Sequence, residues 1–307
     1  MKRTKTLLLG LILAFSGGFA AAQPNFDAVT IKTHKVAEGI YALEGEGGNI
    51  GVSVGEDGVI IIDDQFAPLT PKITAAIRAL SDKPLRFVLN THWHFDHTGG
   101  NENFGNAGAV IVAHENVYKR MSTEQFIAFF KMKLPPSPKA ALPVITFTEA
   151  VTFRLNGDEL NGYHVKRAHT DGDMIVRFRK ANVVHMGDTY FSFMYPFIDL
   201  GSGGSVKGVL AAVDGVLGTI DENTKIIPGH GPLSSKSDLR TYRNMLSKVA
   251  TSIGRMIKAK KTLEQVVAAK PTREFDVVWG NGFLKPDQFV EIVYKSMNPE
   301  KAAAKAR

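Results

Sequence analysis

The chain contains no cysteine. That excludes disulfides and lipid attachment through a thiol, and leaves packing or a bound metal to stabilise the fold. Long apolar runs are also missing beyond the N-terminus. No later segment approaches the roughly 20 apolar residues that a membrane helix needs. Between the two ends of the chain, charge of one sign is not concentrated anywhere. The formal charge is +7, and without the three basic residues of the N-terminal segment 34 Lys and Arg face 30 Asp and Glu, leaving +4. So mild and scattered an excess offers no footprint for nucleic acid. No arrangement of Ser or Lys reads as a nucleophilic triad either. What is present suits a globular protein with a large core: 307 residues, 44% hydrophobic and 22% charged.

Residues 1–22 read as a secretory signal. Lys2, Arg3 and Lys5 make a positive start, 7–15 are apolar, and Ala20-Ala21-Ala22 forms a small-residue cleavage site before Gln23. An uncleaved anchor is the alternative, but its apolar stretch is short for a bilayer. The mature chain, 23–307, is then expected as a single exported domain, periplasmic or secreted, with no stable membrane insertion after cleavage. No linker divides it, and a basic tail closes it at 301–307.

The densest chemistry lies in Thr91-His92-Trp93-His94-Phe95-Asp96-His97. The preceding run, 85–90, reads as a buried strand rich in branched and aromatic residues, so the cluster sits where a strand yields to a loop. Residues i and i+2 of an extended chain point the same way, which sets His92 beside His94 as a pincer for one cation. A tight turn through Phe95 aims Asp96 and His97 at a second ion, and Gly99-Gly100-Asn101 is expected to turn sharply beneath the site. One histidine alone reads as a satisfied core residue. Three with an aspartate inside six positions mark a metal site.

Around this motif the hydrophobic periods alternate. Strands are expected at 29–34, 40–44, 50–54 and 59–63, a helix at 68–80, then the strand into His92. Ligands at the carboxyl end of such a strand are common in α/β active sites. A strand at 109–113 and a helix at 115–121 follow, with His114 reading as a surface or capping residue. Residues 124–132 have aromatic helical spacing and run into a proline-rich loop at 134–138. That region is open to two readings, a lid over the site or ordinary helix packing. Further strands are expected at 145–148, 151–155, 163–166, 174–178, 182–186 and 225–227, and helices at 206–217, 237–259, 263–270 and 286–297. The class is α/β, two weakly similar halves of strands followed by helices.

The His-x-His-x-Asp-His run after an apolar strand resembles the signature of the metallo-β-lactamase superfamily, and the resemblance extends over about residues 30–235. It implies a four-layer αβ/βα sandwich. It also implies the remaining ligands. His169, in Ala168-His169-Thr170-Asp171-Gly172-Asp173, falls where the family places a third histidine, with His164 as a rival inside a strand. Asp188, in Gly187-Asp188-Thr189, takes the bridging position, and His230, in Pro228-Gly229-His230-Gly231, the final one. Asp63 is either an aspartate beneath the metal loop, as in the family, or a solvated turn residue. His185 is structural or sits behind the ligands, and the aromatic loop 190–198 walls the pocket.

On this resemblance His92, His94 and His169 hold one ion, Asp96, His97 and His230 another, and Asp188 lies between them. Nitrogen and carboxylate donors without thiolate suit zinc, two Zn2+ per chain, while iron and manganese accept the same set. Two such ions lower the pKa of a shared water from 15.7 toward about 7, and Asp96 is the catalytic residue expected to orient the resulting hydroxide. The substrate class is divided. Export favours β-lactams, yet Asp188 stands where the family's β-lactamases carry cysteine or serine, and Phe191 where a lysine grips the substrate carboxylate. A bridging aspartate is similar to glyoxalase-II-type thioesterases and lactonases. The expectation is an exported di-zinc hydrolase of a cyclic amide or ester carbonyl with β-lactamase-like activity. A lactonase or thioesterase is the alternative, then an iron-dependent oxidoreductase or a phosphodiesterase on the same scaffold. Its partner is a small-molecule substrate, and oligomeric state is not legible in the sequence.

Overall fold

Side chains on a strand alternate between its two faces, so a strand apolar on both faces must be covered twice. Val59-Ile60-Ile61-Ile62 is such a strand, and all four residues are buried. Ile60 and Ile62 join an apolar cluster with Leu160, Val176 and Phe178 of a second sheet, while Val59 and Ile61 join one with Ile73 and Ile77 of a helix and Leu69 just before it. This one strand therefore already defines three layers.

The computed structural model describes residues 25–298; the expected leader 1–22 and the tail 301–307 lie outside them. The first half runs β1 (Lys32–Ala37), β2 (Ile40–Glu44), β3 (Ile50–Gly55), β4 (Gly58–Ile62), α1 (Thr70–Leu80) and β5 (Leu85–Leu89). It continues through α2 (Phe95–Thr98), α3 (Asn101–Asn106), β6 (Val110–His114), α4 (Glu115–Met121), a separate hairpin β7 (Gln125–Ile127) and β8 (Met132–Leu134), and β9 (Ile145–Phe147). Strands β1 to β6 and β9 form one sheet in sequential order, antiparallel as far as β4 and parallel beyond it.

The second half supplies β10 (Ala150–Leu155), β11 (Asp158–His164), β12 (Met174–Phe178), β13 (Val183–His185), α5 (Val206–Leu217), β14 (Lys225–Ile227) and β15 (Ser234–Ser235). Helices α6 (Lys236–Lys258), α7 (Leu263–Ala268), α8 (Asp276–Trp279) and α9 (Pro286–Met297) follow. The six strands β10 to β15 form the second sheet. Its outer face, through Ile175, Val184 and Ile226, packs on Val209, Val213, Leu246, Val249 and Phe289 of the helices. Helices, sheet, sheet and helices stack in that order, as the resemblance implied. Among the described residues no helix is long and apolar enough to cross a membrane.

Four expectations need correction. The strand expected at 163–166 runs Asp158–His164 instead, pairing with β10 and β12. The first strand begins at Lys32 rather than 29, after a short helical turn at Phe26–Ala28. Residues 124–132 form no helix: Ile127 is buried while Phe126 is 56% exposed, the alternation of the β7–β8 hairpin, and Lys131 closes its turn at φ 50°. Gly99 and Gly100 do not turn the chain sharply. Both have ordinary right-handed φ of −66° and −80°, and their missing side chains instead let the backbone lie against Gln65 and Asp64.

Candidate metal centre

The strand β5 ends at Leu89, and Asp63 at the end of the neighbouring β4 reaches across to fix the loop that follows. Its Oδ1 accepts the Thr91 N–H at 2.7 Å, and its Oδ2 accepts the Thr91 hydroxyl at 2.7 Å and His97 Nδ1–H at 2.8 Å. Asp63 is fully buried, so it lies beneath the loop and is no solvated turn residue. His94 then caps α2, whose single turn carries Asp96 and His97.

Four imidazoles have their outer nitrogen tied down by this scaffold. His97 Nδ1 donates to Asp63, His94 Nε2 to Asp199 Oδ2 at 3.0 Å, and His169 Nδ1 to the Phe197 carbonyl at 2.8 Å. His92 Nδ1 lies 3.0 Å from Thr91 Oγ1, whose own proton goes to Asp63. The protons therefore sit on the outer nitrogens, and the inner ones present bare lone pairs.

Those inner nitrogens converge. His94 Nδ1 is 3.2 Å from His92 Nε2 and 2.9 Å from His169 Nε2. Zinc–nitrogen bonds of about 2.0–2.1 Å place tetrahedral donors roughly 3.3 Å apart, so the trio has the spacing of one coordination sphere. Without a cation, three lone pairs would repel one another in a buried site. A second group forms beside it: His97 Nε2 lies 3.2 Å from His230 Nε2, and Asp96 Oδ2 lies 3.3 Å from His230 Nε2. Asp188 stands between the groups. Its Oδ2 is 3.5 Å from His169 and 3.8 Å from His92, and its Oδ1 is 3.1 Å from His97 and 3.4 Å from His230. These contacts are close enough but none has the direction of a hydrogen bond to Oδ1, which is buried without a hydrogen-bond partner. An orphaned buried carboxylate oxygen facing bare nitrogens is the environment a cation satisfies. All seven sequence candidates thus lie together, as two donor groups whose atoms fall within 4.8 Å of one another.

The electrostatics differ between the groups. Burial, reinforced by the charge of His97, drives His92 well below its usual pKa, and burial takes His169 down to about 4. In the second group burial is outweighed. Asp188 and Asp96 lift His230 to about 9, and His97 with His230 holds Asp96 at about 2. A proton on His230 thus stands in for the positive charge that the carboxylates demand.

Two glycines make the assembly possible. A Cβ on Gly48 would enter the His97 ring, and one on Gly229 would collide with Asp188 Oδ1. Asn49 holds the His230 loop through Nδ2–H bonds to Pro228 O at 3.0 Å and Gly231 O at 2.8 Å.

Other histidines stay outside. His164 stacks on His114 with ring centroids 3.8 Å apart, and His114 Nδ1 accepts the Asn116 N–H that caps α4. His185 Nε2 donates to the Asn49 carbonyl. Sequence reading missed Asp199 and Asp173. Asp173 accepts the N–H groups of His169 and Thr170 at 2.6 and 2.8 Å, and so shapes the His169 loop. The acidic residue after an apolar loop was the only trace of Asp199.

The centre floors a cavity of about 440 Å³ lined by Phe66, Phe95, Phe130, Phe191, Phe197 and Phe283 with Glu46, Asp96 and Asp188. A larger groove of about 670 Å³ along α1 holds no converging donors and is the weaker candidate.

The sequence profile of the metallo-β-lactamase superfamily matches residues 43–249, a span that includes all seven donors. The chain belongs to the metallo-β-lactamase superfamily. Its solved relatives in structure include a metallo-β-lactamase from Pontibacter korlensis, 18% identical, covering 71% of this chain and 99% of the other with a TM-score of 0.58. DIM-1 metallo-β-lactamase is 17% identical, covering 71% and 98% at a TM-score of 0.58. The stereoselective inverting sec-alkylsulfatase Pisa1 from Pseudomonas sp. is 16% identical at a TM-score of 0.64, over 89% of this chain. This chain spans about half the sulfatase's length, 52%. At these identities the likeness is one of fold, shared by superfamily members of different chemistry.

Proposed function

We propose that the mature chain, residues 23–307 after loss of the leader, is an exported single-domain hydrolase holding two zinc ions. It opens a cyclic amide or ester carbonyl, and β-lactam ring opening is one of its activities. The observation that carries this reading is the unpartnered Asp188 Oδ1 between the bare nitrogens of His92, His94 and His169 on one side and the His97–His230 pair on the other. His92, His94 and His169 would hold one ion and Asp96, His97 and His230 the other, with Asp188 touching both. Bound there, divalent ions supply a water ionised near neutral pH and an electrophile for the substrate oxygen.

The chain's own groups do the rest. Asp96 stays ionised, its side chain is 22% exposed at the cavity floor, and it accepts a hydrogen bond from the attacking water and so aims it. Asp63, Asp199 and the Phe197 carbonyl keep the imidazoles from rotating. The phenylalanine walls exclude bulk water, which strengthens every charge interaction within. Among the described residues no Lys or Arg lines the cavity to grip a carboxylate beside the scissile bond. Lactones and thioesters are therefore expected to be turned over faster than β-lactams.

The test is a panel on the metal-loaded mature protein: a chromogenic cephalosporin, a homoserine lactone, a thioester, a phosphodiester and an alkyl sulfate. Turnover of the first three supports the carbonyl reading. Turnover confined to the phosphodiester or the sulfate would replace it.

A further inference from the structure

Resting on the hydrolase reading, we propose that the part of the substrate remote from the scissile bond is uncharged and apolar, a medium-chain acyl or an aryl group. Phe283 and Phe130 select it. The cavity that opens from the donor cluster is walled by rings from separate parts of the chain. Phe130 comes from the β7–β8 turn, Phe197 from the loop after β13, and Phe283 from the segment between α8 and α9. Their ring centroids lie 5.5 Å apart for Phe130 and Phe197, 6.4 Å for Phe130 and Phe283, and 6.5 Å for Phe197 and Phe283. Phe197 is also 6.0 Å from the His94 ring, so the wall begins at the reacting centre.

Two features give the wall its selectivity. Phe130 and Phe283 are 43% and 51% exposed, leaving ring surface in water that an apolar occupant would cover. The charges lining the cavity, apart from the histidines, are the carboxylates Glu46, Asp96 and Asp188. Lys285, two residues from Phe283, donates instead to the Gly282 carbonyl at 2.9 Å. A carboxylate on the remote arm would lose hydration against the rings, meet no cation and face like charge. Phe283 lies beyond the profile-matched residues 43–249, whereas Phe130 and Phe197 lie within them.

The experiment uses the zinc-loaded mature protein with p-nitrophenyl esters from butanoyl to octanoyl, and the carboxyl-terminated half-ester of octanedioic acid as partner of the octanoyl ester. The expected result is a rise in kcat/KM of about three- to fourfold per methylene. The neutral ester should outrun its carboxylate partner at least about tenfold. Phe283→Ala should flatten the chain-length series, and Phe283→Lys should narrow or reverse the charge preference, both at unchanged metal content. A flat series in the wild type, or equal rates for the matched pair, would overturn the proposal. Should no ester react at full metal loading, the hydrolase reading is decided by the lactone, thioester and cephalosporin of the panel, and the wall is judged by binding of the neutral fluorophore N-phenyl-1-naphthylamine. Binding that weakens about tenfold in Phe283→Lys supports the wall, and equal binding in both proteins overturns it.

Discussion

Asp199 Oδ2 lies 3.0 Å from His94 Nε2, and that contact decides which nitrogen of His94 faces the donor cluster. Among the four imidazoles with a fixed outer nitrogen, His94 is the one that turns Nδ1 inward, and the carboxylate is what keeps it so. Asp199 is itself held by the Ser202 hydroxyl at 2.6 Å, and His94 pulls its pKa down to about 2 against the effect of burial.

Replacing Asp199 by Ala should therefore weaken metal binding about 10- to 100-fold while the fold persists. Competition with a coloured chelator measures this directly. Affinity equal to that of the wild type would show that His94 needs no orienting partner.

Asp188→Ala should lower the metal content and abolish turnover, because each donor group loses one oxygen of the carboxylate that stands between them. Elemental analysis and the hydrolytic panel read the two effects separately. Full activity in this variant would remove the bridging role.

Gly48→Ala should be felt through the His97 ring, which the new methyl group would enter. The ring is also pinned by Asp63, so it cannot move aside cheaply. A destabilisation of about 1–3 kcal/mol is expected on denaturant unfolding, with reduced metal loading. An unchanged midpoint would mean that the loop shifts freely.

Acid should destabilise the protein through His114 and His164. Burial is the leading cause that lowers both pKa values from 6.5, and the stacked partner also lowers that of His114. Above pH 6.5 both rings are neutral whether the chain is folded or not, and the pair contributes no pH dependence. Below it the unfolded chain binds protons that the folded one refuses, so stability falls until the lowered folded values are reached. Each group contributes at most about 1.4 kcal/mol per pH unit. His114→Asn keeps a helix-capping side chain without titrating there, and its unfolding midpoint, followed from pH 8 to 5 without metal, should fall less steeply than that of the wild type. Parallel curves would dismiss the pair as the source.

Much of the architecture was open to a reader of the sequence, because buried strands such as Val59-Ile60-Ile61-Ile62 and helices such as α5 and α9 declare themselves by local period. The hairpin at 125–134 did not. The spacing of Phe126, Phe129 and Phe130 imitates a helical face, and only the pairing of Gln125–Ile127 with Met132–Leu134 against the second sheet's helices chose the strand.

The same division holds in the site. His92, His94, Asp96 and His97 fall within six positions, so chain connectivity alone brings them together and their chemistry shows in the sequence. His169, Asp188 and His230 were placed by resemblance, since a loop position for His169 and flanking glycines for His230 are weak local signals beside His164 and His185. Asp199 and Phe283 could be found only in three dimensions. Asp199 meets His94 across 105 residues, and Phe283 reaches the cavity from the far end of the chain. Contacts of that separation are set by how the two sheets and their helices stack, and no short-range pattern records them.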